Sequence, residues 1–338
     1  TPTSLANQAI GWETTDAFNV GVDFSVLKGR ISGVLDVYQN YTNGLIFSVS
    51  LPPVSGFTGT KDNVGKTMNR GFDFTLNTIN VSKKDFSWRS TINLSFTKNK
   101  IIELQNGKED MVGSNLFIGQ PSQVMYGYES AGLWTDSPED LELMAKYNAN
   151  GHKFAPGTVR PVDIANEKDD QGNEIYKIDS NHDRKILGTT VPLWNLGFTN
   201  TLHYKNFELA IFIYGAFDYM AQTGQYQGGR EPVISMNYYN ENNKVGAEYQ
   251  RPYFNTAGGD DFSGILLQKD ASFLKVRQIS FGYILPQKFV KKLGLSNIKV
   301  TGQLKNPFSI YQGTTWMDSD FRSGSYTKGF VFGVNVGF

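Results

Sequence analysis

The sequence has 338 residues with 32 basic and 32 acidic side chains, so its formal net charge is zero. This balance argues against a nucleic-acid-binding protein, which usually has a basic excess. There is no cysteine, which excludes disulfides and thiolate metal sites. Aromatic residues are 14% of the chain and glycine occurs 35 times, a composition typical of membrane β-barrels with aromatic girdles. Because the sequence opens at Thr1 without a signal peptide, we expect a processed or fragmentary chain.

Alternation of apolar and polar residues with a period of two predicts β-strands along the whole chain. No run of about 18 apolar residues occurs, so a transmembrane helix is not expected. The alternating blocks predict about nine strands. In chain order the blocks are 18–26, 31–38, 72–77, 86–97, 194–204, 207–213, 273–284, 298–304 and 330–338.

Short and long connections alternate between these blocks. The short ones are 28–30, 81–85, 204–206 and 286–297, and the long ones are 41–70, 98–193, 217–272 and 306–329. Bacterial barrels have short periplasmic turns and long extracellular loops, and every predicted strand satisfies that rule. The predicted fold class is therefore all-β, a transmembrane antiparallel β-barrel with long extracellular loops. The alternative, a soluble β-sandwich or propeller, is disfavoured because its connections are usually short.

Alternate residues of each strand point to opposite faces of the sheet, so the apolar set and the polar set predict two different surfaces. Aromatic residues on the apolar parity are expected at the membrane interfaces, where Trp and Tyr are favoured. Those near the periplasmic interface are Phe86, Trp88, Tyr204, Phe207, Tyr283 and Phe338, and those near the outer one are Trp194 and Phe96. The polar parity predicts a wet lumen, with candidate lumen residues Asp23, Asp73, Arg89, Asn93, Asn195 and His203.

The predicted C-terminal strand has apolar residues at every second position, so they share one face. They are Phe330, Phe332, Val334, Val336 and the terminal Phe338. This pattern resembles the C-terminal signal that the outer-membrane assembly machinery reads, which ends in Phe. The alternative is a plain edge strand, which is disfavoured because an unpaired apolar edge promotes aggregation in a soluble protein.

One loop has the spacing of a calcium site. Asp179, Asn181 and Asp183 form a D-x-N-x-D pattern, and alternate oxygen ligands in a tight loop suit Ca²⁺. However, Arg184 replaces the usual glycine and Thr190 stands where a closing carboxylate is expected. An Asx-rich turn is therefore the alternative, and Ca²⁺ is the one cofactor considered.

No catalytic motif is present, so we expect the chain not to be an enzyme. The acidic residues after Trp134 are explained by a helix start at Ser137–Pro138, since acids stabilise the first turn of a helix. Segment 123–134 is compatible with a strand, a loop or a lumen-lining segment.

The predicted loops are rich in aromatic residues that we expect to be exposed. They are Trp134, Tyr226, Tyr238, Tyr239, Tyr249, Tyr253, Trp316, Phe321 and Tyr326. Aromatic faces can stack on sugar rings and also suit protein contacts. Packing of one loop on another is the alternative.

Several segments resemble the SusC/RagA family of TonB-dependent outer-membrane transporters. They are GWETT at 11–15, NVGVD at 19–23, NVG at 63–65, NRGFD at 69–73, GY at 127–128 and GLW at 132–134, followed by GFTN at 197–200, YKNF at 204–207, SFLKVR at 272–277 and FGYILP at 281–286. The family's D-x-N-G-D-G stands at 179–184, where both glycines are replaced.

The resemblance implies that residues 1–338 are the C-terminal portion of a large, probably 22-stranded plugged barrel, with the plug and earlier strands absent. It implies TonB-driven import of glycan oligosaccharides or peptides through the outer membrane of a Gram-negative, Bacteroidetes-type cell. The implied partners are a SusD-like surface lipoprotein lid, the TonB system acting through the missing N-terminal part, that N-terminal remainder and outer-membrane lipid. The alternatives are a passive porin or siderophore-type receptor, and a surface glycan-binding or adhesive β-protein.

Overall fold

The computed structural model describes most of the chain. The described residues are 4–50, 54, 56–57, 59–105, 107–222, 237–251, 262–314, 320 and 327–338. Among them, no helix is both long enough and apolar enough to cross a membrane.

The described residues are mostly β-strand. The strands are β1 (Ser4–Leu5), β2 (Thr14–Val26), β3 (Ile31–Ser50), β4 (Gly59–Ser82), β5 (Phe86–Glu103), β6 (Val124–Tyr128), β7 (Ser130–Leu133), β8 (Val159–Pro161), β9 (Arg184–Thr189), β10 (Trp194–Tyr204), β11 (Phe207–Phe217), β12 (Met220–Gln222), β13 (Gln268–Asp270), β14 (Phe273–Ile284), β15 (Asn297–Gln312) and β16 (Gly329–Gly337). The helices are α1 (Pro138–Ala149) and α2 (Gln287–Val290), with 3-10 turns at Val112–Ser114, Ser263–Leu267 and Lys291–Leu293.

The main sheet consists of nine strands in the order β16-β15-β14-β11-β10-β5-β4-β3-β2, and β1 adds a short parallel pairing to β4. All neighbours along this order are antiparallel. The predicted set of about nine strands is therefore confirmed. Strands β10 and β14 begin and end at the predicted residues.

The short connections between strands all lie at one edge of the sheet, as predicted. Residues 27–30 join β2 to β3, and residues 205–206 join β10 to β11. Lys28 and Lys205 have positive φ angles of 56° and 52°, which tight turns between antiparallel strands require. The chain therefore reverses direction within a few residues at this edge of the sheet.

The strands extend further from this edge than predicted. The predicted lengths of the connections 41–70 and 306–329 were therefore wrong, because part of each range is strand. Strand β3 continues to Ser50, β4 begins at Gly59 and β15 continues to Gln312. A strand of about 9–11 residues crosses a bilayer, whereas β4 has 24. Beyond the apolar band both faces of a hairpin meet water, so apolar and polar side chains no longer alternate. The antiparallel strand pairing nevertheless continues, as between Tyr41 and Met68.

The chain divides into two compact units. The first contains Thr1–Val124, Thr189–Tyr219 and Ala271–Phe338, and the second contains Met125–Gly188 and Met220–Asp270. The second unit holds α1 and the short sheets β6-β9, β7-β8 and β12-β13. Segment 123–134 is thus mainly strand, since it contains β6 and β7.

The predicted helix start at Ser137 is confirmed. The Ser137 hydroxyl accepts the backbone N–H of Asp140 at 3.2 Å, and Pro138 is the first helical residue. The Asp140 carboxylate in turn accepts the Thr135 hydroxyl at 2.7 Å and pairs with Arg160 at 2.9 Å. Ser137 therefore caps α1, and Asp140 anchors its first turn.

Candidate functional site: the polar face of the sheet

One face of the nine-stranded sheet is apolar and exposed. Phe18 is 67% exposed, Phe332 is 64% exposed, and many Val, Leu and Phe side chains between them share this face. Soluble monomers rarely expose apolar patches larger than a few hundred Å². This surface is therefore suited to contact with lipid hydrocarbon.

Two rows of aromatic residues bound the apolar face. At the short-turn edge the strand register aligns Phe86, Tyr204, Phe207 and Tyr283. The rings of Phe207 and Tyr283 are 4.7 Å apart.

At the other end the Trp194 ring contacts those of Phe72 and Phe96, at centroid distances of 5.7 and 4.6 Å. Trp194 and Tyr204 are the end residues of β10, which corresponds to about 33 Å along a strand. With a tilt of about 40°, the rows are about 25 Å apart in height, the height of the apolar band of a membrane barrel.

The six candidate lumen residues all lie on the opposite, polar face. The register places Asp73 and Asn195 in one cross-strand row, both next to Ser95. Asp23 and Asn93 belong to the adjacent row, which continues across β3 and β4. The structure therefore places these four residues in two adjacent rows of the polar face.

Arg89 and His203 share the polar face but lie nearer the short turns. Arg89 is paired with Thr201 and His203 with Ser87 on neighbouring strands. His203 Nδ1 lies 3.6 Å from Glu208 Oε1, and Glu208 also pairs with Lys299. A cluster of one histidine, one carboxylate and one ammonium group thus occupies this end of the polar face.

Hydrogen bonds hold the amides of the polar face in place. The Thr75 hydroxyl donates to Asn93 Oδ1 at 3.0 Å, and the Tyr214 hydroxyl donates to Asn195 Oδ1 at 3.0 Å. Both asparagines are bonded through their oxygens, which directs each –NH₂ group away from its bonded neighbour. Such fixed donors can bind the hydroxyl or carbonyl oxygens of a polar solute.

Sequence reasoning missed a second part of the polar face, centred on Arg277. A bulge at Arg277 interrupts the pairing of β14 with both β11 and β15. Bulges can re-aim a side chain, and here the Arg277 guanidinium lies 5.2 Å from the Tyr214 ring and 2.7 Å from Asp320. A shallow concavity surrounds it, also lined by Gln278 and Lys305.

The bulge is visible in the sequence because the polar and the apolar residues of β14 both occupy odd-numbered positions. Lys275 and Arg277 have odd numbers, as do Ile279, Phe281 and Tyr283 of the apolar face. A strictly alternating strand would place both cations in lipid, so one residue must be inserted between the two groups. This signal could have identified Arg277.

The loop aromatics of the second unit are partly buried, so the prediction that all are exposed was wrong. Trp134 is 1% exposed and Tyr239 is 7% exposed, whereas Tyr238 is 43% exposed. Trp134 packs against Phe154 at 5.3 Å and lies under the Arg160 guanidinium at 4.5 Å. The alternative of loop-on-loop packing is therefore correct for Trp134 and Tyr239. Tyr226, Tyr253, Trp316, Phe321 and Tyr326 lie outside the described residues.

The predicted calcium loop is a tightly hydrogen-bonded turn. Asp179 Oδ1 accepts the backbone N–H groups of Asn181 and His182 at 2.8 and 3.0 Å. The backbone N–H of Asn181, followed by the His182 side chain, lowers the pKa of Asp179 to about 2. Asp183 is 1% exposed and accepts the backbone N–H groups of Ile164 and Asp179 at 2.9 and 2.8 Å. Calcium binding to Asp179, Asn181 and Asp183 stays a prediction.

The C-terminal strand belongs to the apolar face. Strand β16 pairs with β15, and Phe330, Phe332, Val334 and Val336 are all exposed on that face. Phe338, just beyond the strand, is 97% exposed. Their role as an assembly signal stays a prediction.

Comparison with known proteins identifies related chains. Residues 1–155 match the family described as TonB dependent receptor-like, beta-barrel. TonB-dependent receptor P3 of Formosa agariphila is 26% identical over 99% of this chain and 35% of its own length. TonB-dependent receptor SusC of Bacteroides thetaiotaomicron is 25% identical over 94% of this chain and 30% of its own length. The chain thus spans about a third of the length of the curated relatives it matches.

The fold also matches solved structures. The structure of the RagAB peptide transporter superimposes with a TM-score of 0.73 and 21% identity, covering 97% of this chain and 36% of that one. A structure of the RagAB peptide importer in an "open-open" state matches equally well, with a TM-score of 0.73 and 19% identity over 98% of this chain and 35% of that one. The predicted resemblance to the SusC/RagA-type TonB-dependent receptors is therefore confirmed.

Proposed function

We propose that this chain forms part of the wall of an outer-membrane importer that moves oligomeric nutrients through a polar lumen. The proposal rests on one observation: a single sheet has an exposed apolar face between two aromatic rows and a polar, hydrogen-bonded opposite face. A sheet of this kind separates lipid from water. The proposed role is transport and not catalysis.

The two outer strands of the sheet support the need for further strands. Among the described residues, β2 pairs only with β3 and β16 only with β15. An open edge within a bilayer leaves backbone groups unsatisfied, and each costs several kcal/mol, so membrane sheets close. We therefore propose that other strands of the same transporter complete the barrel, with residues 1–338 as its C-terminal portion, and that a plug fills the lumen.

The relatives support the energy source, location and partners that we propose. Proteins named TonB-dependent receptors match almost the whole chain, which favours TonB-driven import across the outer membrane of a Bacteroidetes-type cell. RagAB is described as a peptide importer with open and closed states. We propose a comparable lid, a SusD-like surface lipoprotein, and a cargo of peptides or glycan oligosaccharides.

The first experiment is mass spectrometry of the intact complex extracted from native outer membranes in mild detergent. We expect this chain with a plug-bearing polypeptide and a lid lipoprotein, and the mass of any bound ligand names the cargo class. Recovery of the chain alone would favour a passive pore, and recovery from the soluble fraction would favour an adhesive or glycan-binding protein.

A second experiment tests which face is the lumen. Asn93 and Leu94 are neighbours on β5 with side chains on opposite faces. Asn93→Trp places a bulky ring on the polar face and should reduce uptake of the cargo, whereas Leu94→Trp faces lipid and should leave uptake near normal. Equal uptake by the two variants at equal surface abundance would contradict the proposed path.

A further inference from the structure

Three metal-ligating side chains converge in the second unit, outside the polar face. Glu167, Asp179 and His182 each offer one ligand atom, and these atoms lie within 4.8 Å of one another. His182 Nδ1 is 3.0 Å from Glu167 Oε1 and 3.1 Å from Asp179 Oδ2. Both carboxylates therefore address the same ring nitrogen.

We propose that Glu167, Asp179 and His182 bind a divalent first-row transition-metal ion, with Zn²⁺ as the reference ion. Bonds of about 2.0–2.1 Å in a tetrahedral site separate neighbouring ligand atoms by about 3.4 Å. The two distances to His182 Nδ1 need to open by only a few tenths of an ångström to admit the ion. Water fills the remaining position, because the cluster is partly exposed.

The backbone preorganises two of the three ligands. Asp179 Oδ1 is taken by the N–H groups of Asn181 and His182, which leaves Oδ2 facing the ring. The Glu167 carbonyl accepts the N–H of Ile175 at 2.8 Å, which fixes the backbone beside its carboxylate. Bonds of this kind orient ligands and raise metal affinity.

The charge of the cluster matches a dication. With a neutral imidazole, the two carboxylates give a charge of −2, which one divalent ion balances. The nearby cation is Lys177, whose Nζ lies 3.9 Å from Asp179 Oδ2 and whose side chain is 52% exposed. This distance is long for an ion pair, so the ammonium group can move away when a metal enters.

The ligand types favour a transition metal over Ca²⁺. Calcium takes 6–8 oxygen ligands, but Asp183 is buried with its two oxygens directed at backbone N–H groups of Ala165 and Asp179. The imidazole nitrogen of His182 instead suits Zn²⁺, Ni²⁺ or Cu²⁺.

The test is calorimetric titration of Zn²⁺ into the intact detergent-solubilised complex, purified with a tag that lacks histidine and stripped with EDTA. We expect a site that His182→Ala and Glu167→Gln each weaken at least about tenfold, since even an outer-shell partner is worth that much. Glu174→Gln is the matched control. Its carboxylate lies in the same loop but accepts the Tyr176 hydroxyl at 2.5 Å, and this variant should bind as the wild type does.

Zinc X-ray absorption provides an independent readout. We expect an imidazole scattering signature in the wild type and in Glu174→Gln that is absent in His182→Ala. The isosteric Glu167→Gln variant, at a half-buried position, separates loss of a ligand from disruption of the loop. Unchanged zinc affinity in both ligand variants, or displacement of Zn²⁺ by an equal concentration of Ca²⁺, would overturn the proposal.

Discussion

Trp134 is expected to be the main stabilising side chain of the second unit. It is 1% exposed, and its ring contacts Tyr147 at 6.1 Å and Phe154 at 5.3 Å with Arg160 stacked above. Trp134→Ala removes these contacts and leaves a cavity. Replacing a buried Phe or Trp with Ala costs about 3–5 kcal/mol, and the lost cation–π contact adds about 1 kcal/mol.

The expected shift in stability is large enough to measure by pulse proteolysis in urea. A loss of about 4 kcal/mol, with a slope of about 2 kcal/mol per molar urea, lowers the unfolding midpoint by about 2 M. A brief thermolysin pulse on the membrane-embedded complex, followed by mass spectrometry, reports cleavage within 125–188 and 220–270. The midpoint of that cleavage measures the second unit separately from the strands of the sheet.

Two further variants distinguish packing from other effects. The indole N–H of Trp134 has no hydrogen-bond partner, so Trp134→Phe should lower the midpoint by much less than Trp134→Ala. Trp12, which is 95% exposed, allows the same Trp-to-Ala change without loss of a core contact, and its midpoint should not move. A shift below about 0.5 M for Trp134→Ala would refute the view that this ring organises the unit.

Three other predictions follow from single residues. A Cβ at Gly71 would collide with the Phe96 carbonyl, whereas a Cβ at Gly302 would meet no atom closer than 3.8 Å. Gly71→Ala should therefore reduce the yield of folded barrel, measured as the heat-modifiable band on gels. Gly302→Ala should leave that yield unchanged. Burial raises the pKa of Tyr147 above its unfolded value of about 10, so the stability it contributes is complete below that pH and is lost as pH rises beyond it. The urea midpoint of Tyr147→Phe should accordingly fall less steeply above about pH 10 than that of the wild type, and parallel slopes would contradict this. Phe338→Ala should slow insertion into outer membranes, measured by pulse-chase protease resistance, and normal insertion would argue against the assembly signal.

The strands could be predicted from sequence because one local rule governs them. Wherever one face meets lipid and the other water, side chains alternate, and 194–204 and 273–284 were predicted to the residue. Outside that band the rule does not apply, so the continuation of β3 and β4 was missed. The register, and not the alternation of side chains, defines those extensions.

The second unit could not be predicted in the same way because its contacts are distant in sequence. The core around Trp134 includes Phe154, which packs at 5.7 Å against Phe262 from a segment more than a hundred residues later. The His182 cluster depends on Glu167, which no local spacing motif includes. Arg277 was also missed, although the change of parity in β14 was present in the sequence.

A polar group on the apolar face shows why alternation tolerates exceptions. Asn200 lies among apolar residues of β10, yet its Oδ1 accepts the Trp88 indole N–H at 2.9 Å and the Ser90 hydroxyl at 2.7 Å. The Asn80 amide donates to Ser90 Oγ at 2.7 Å, and the Thr78 hydroxyl donates to Asn80 Oδ1 at 3.0 Å. In hydrocarbon an unpaired polar group costs several kcal/mol, but this set of side chains from three adjacent strands pairs within itself. The membrane therefore requires satisfied hydrogen bonds on this face and not the absence of polar residues.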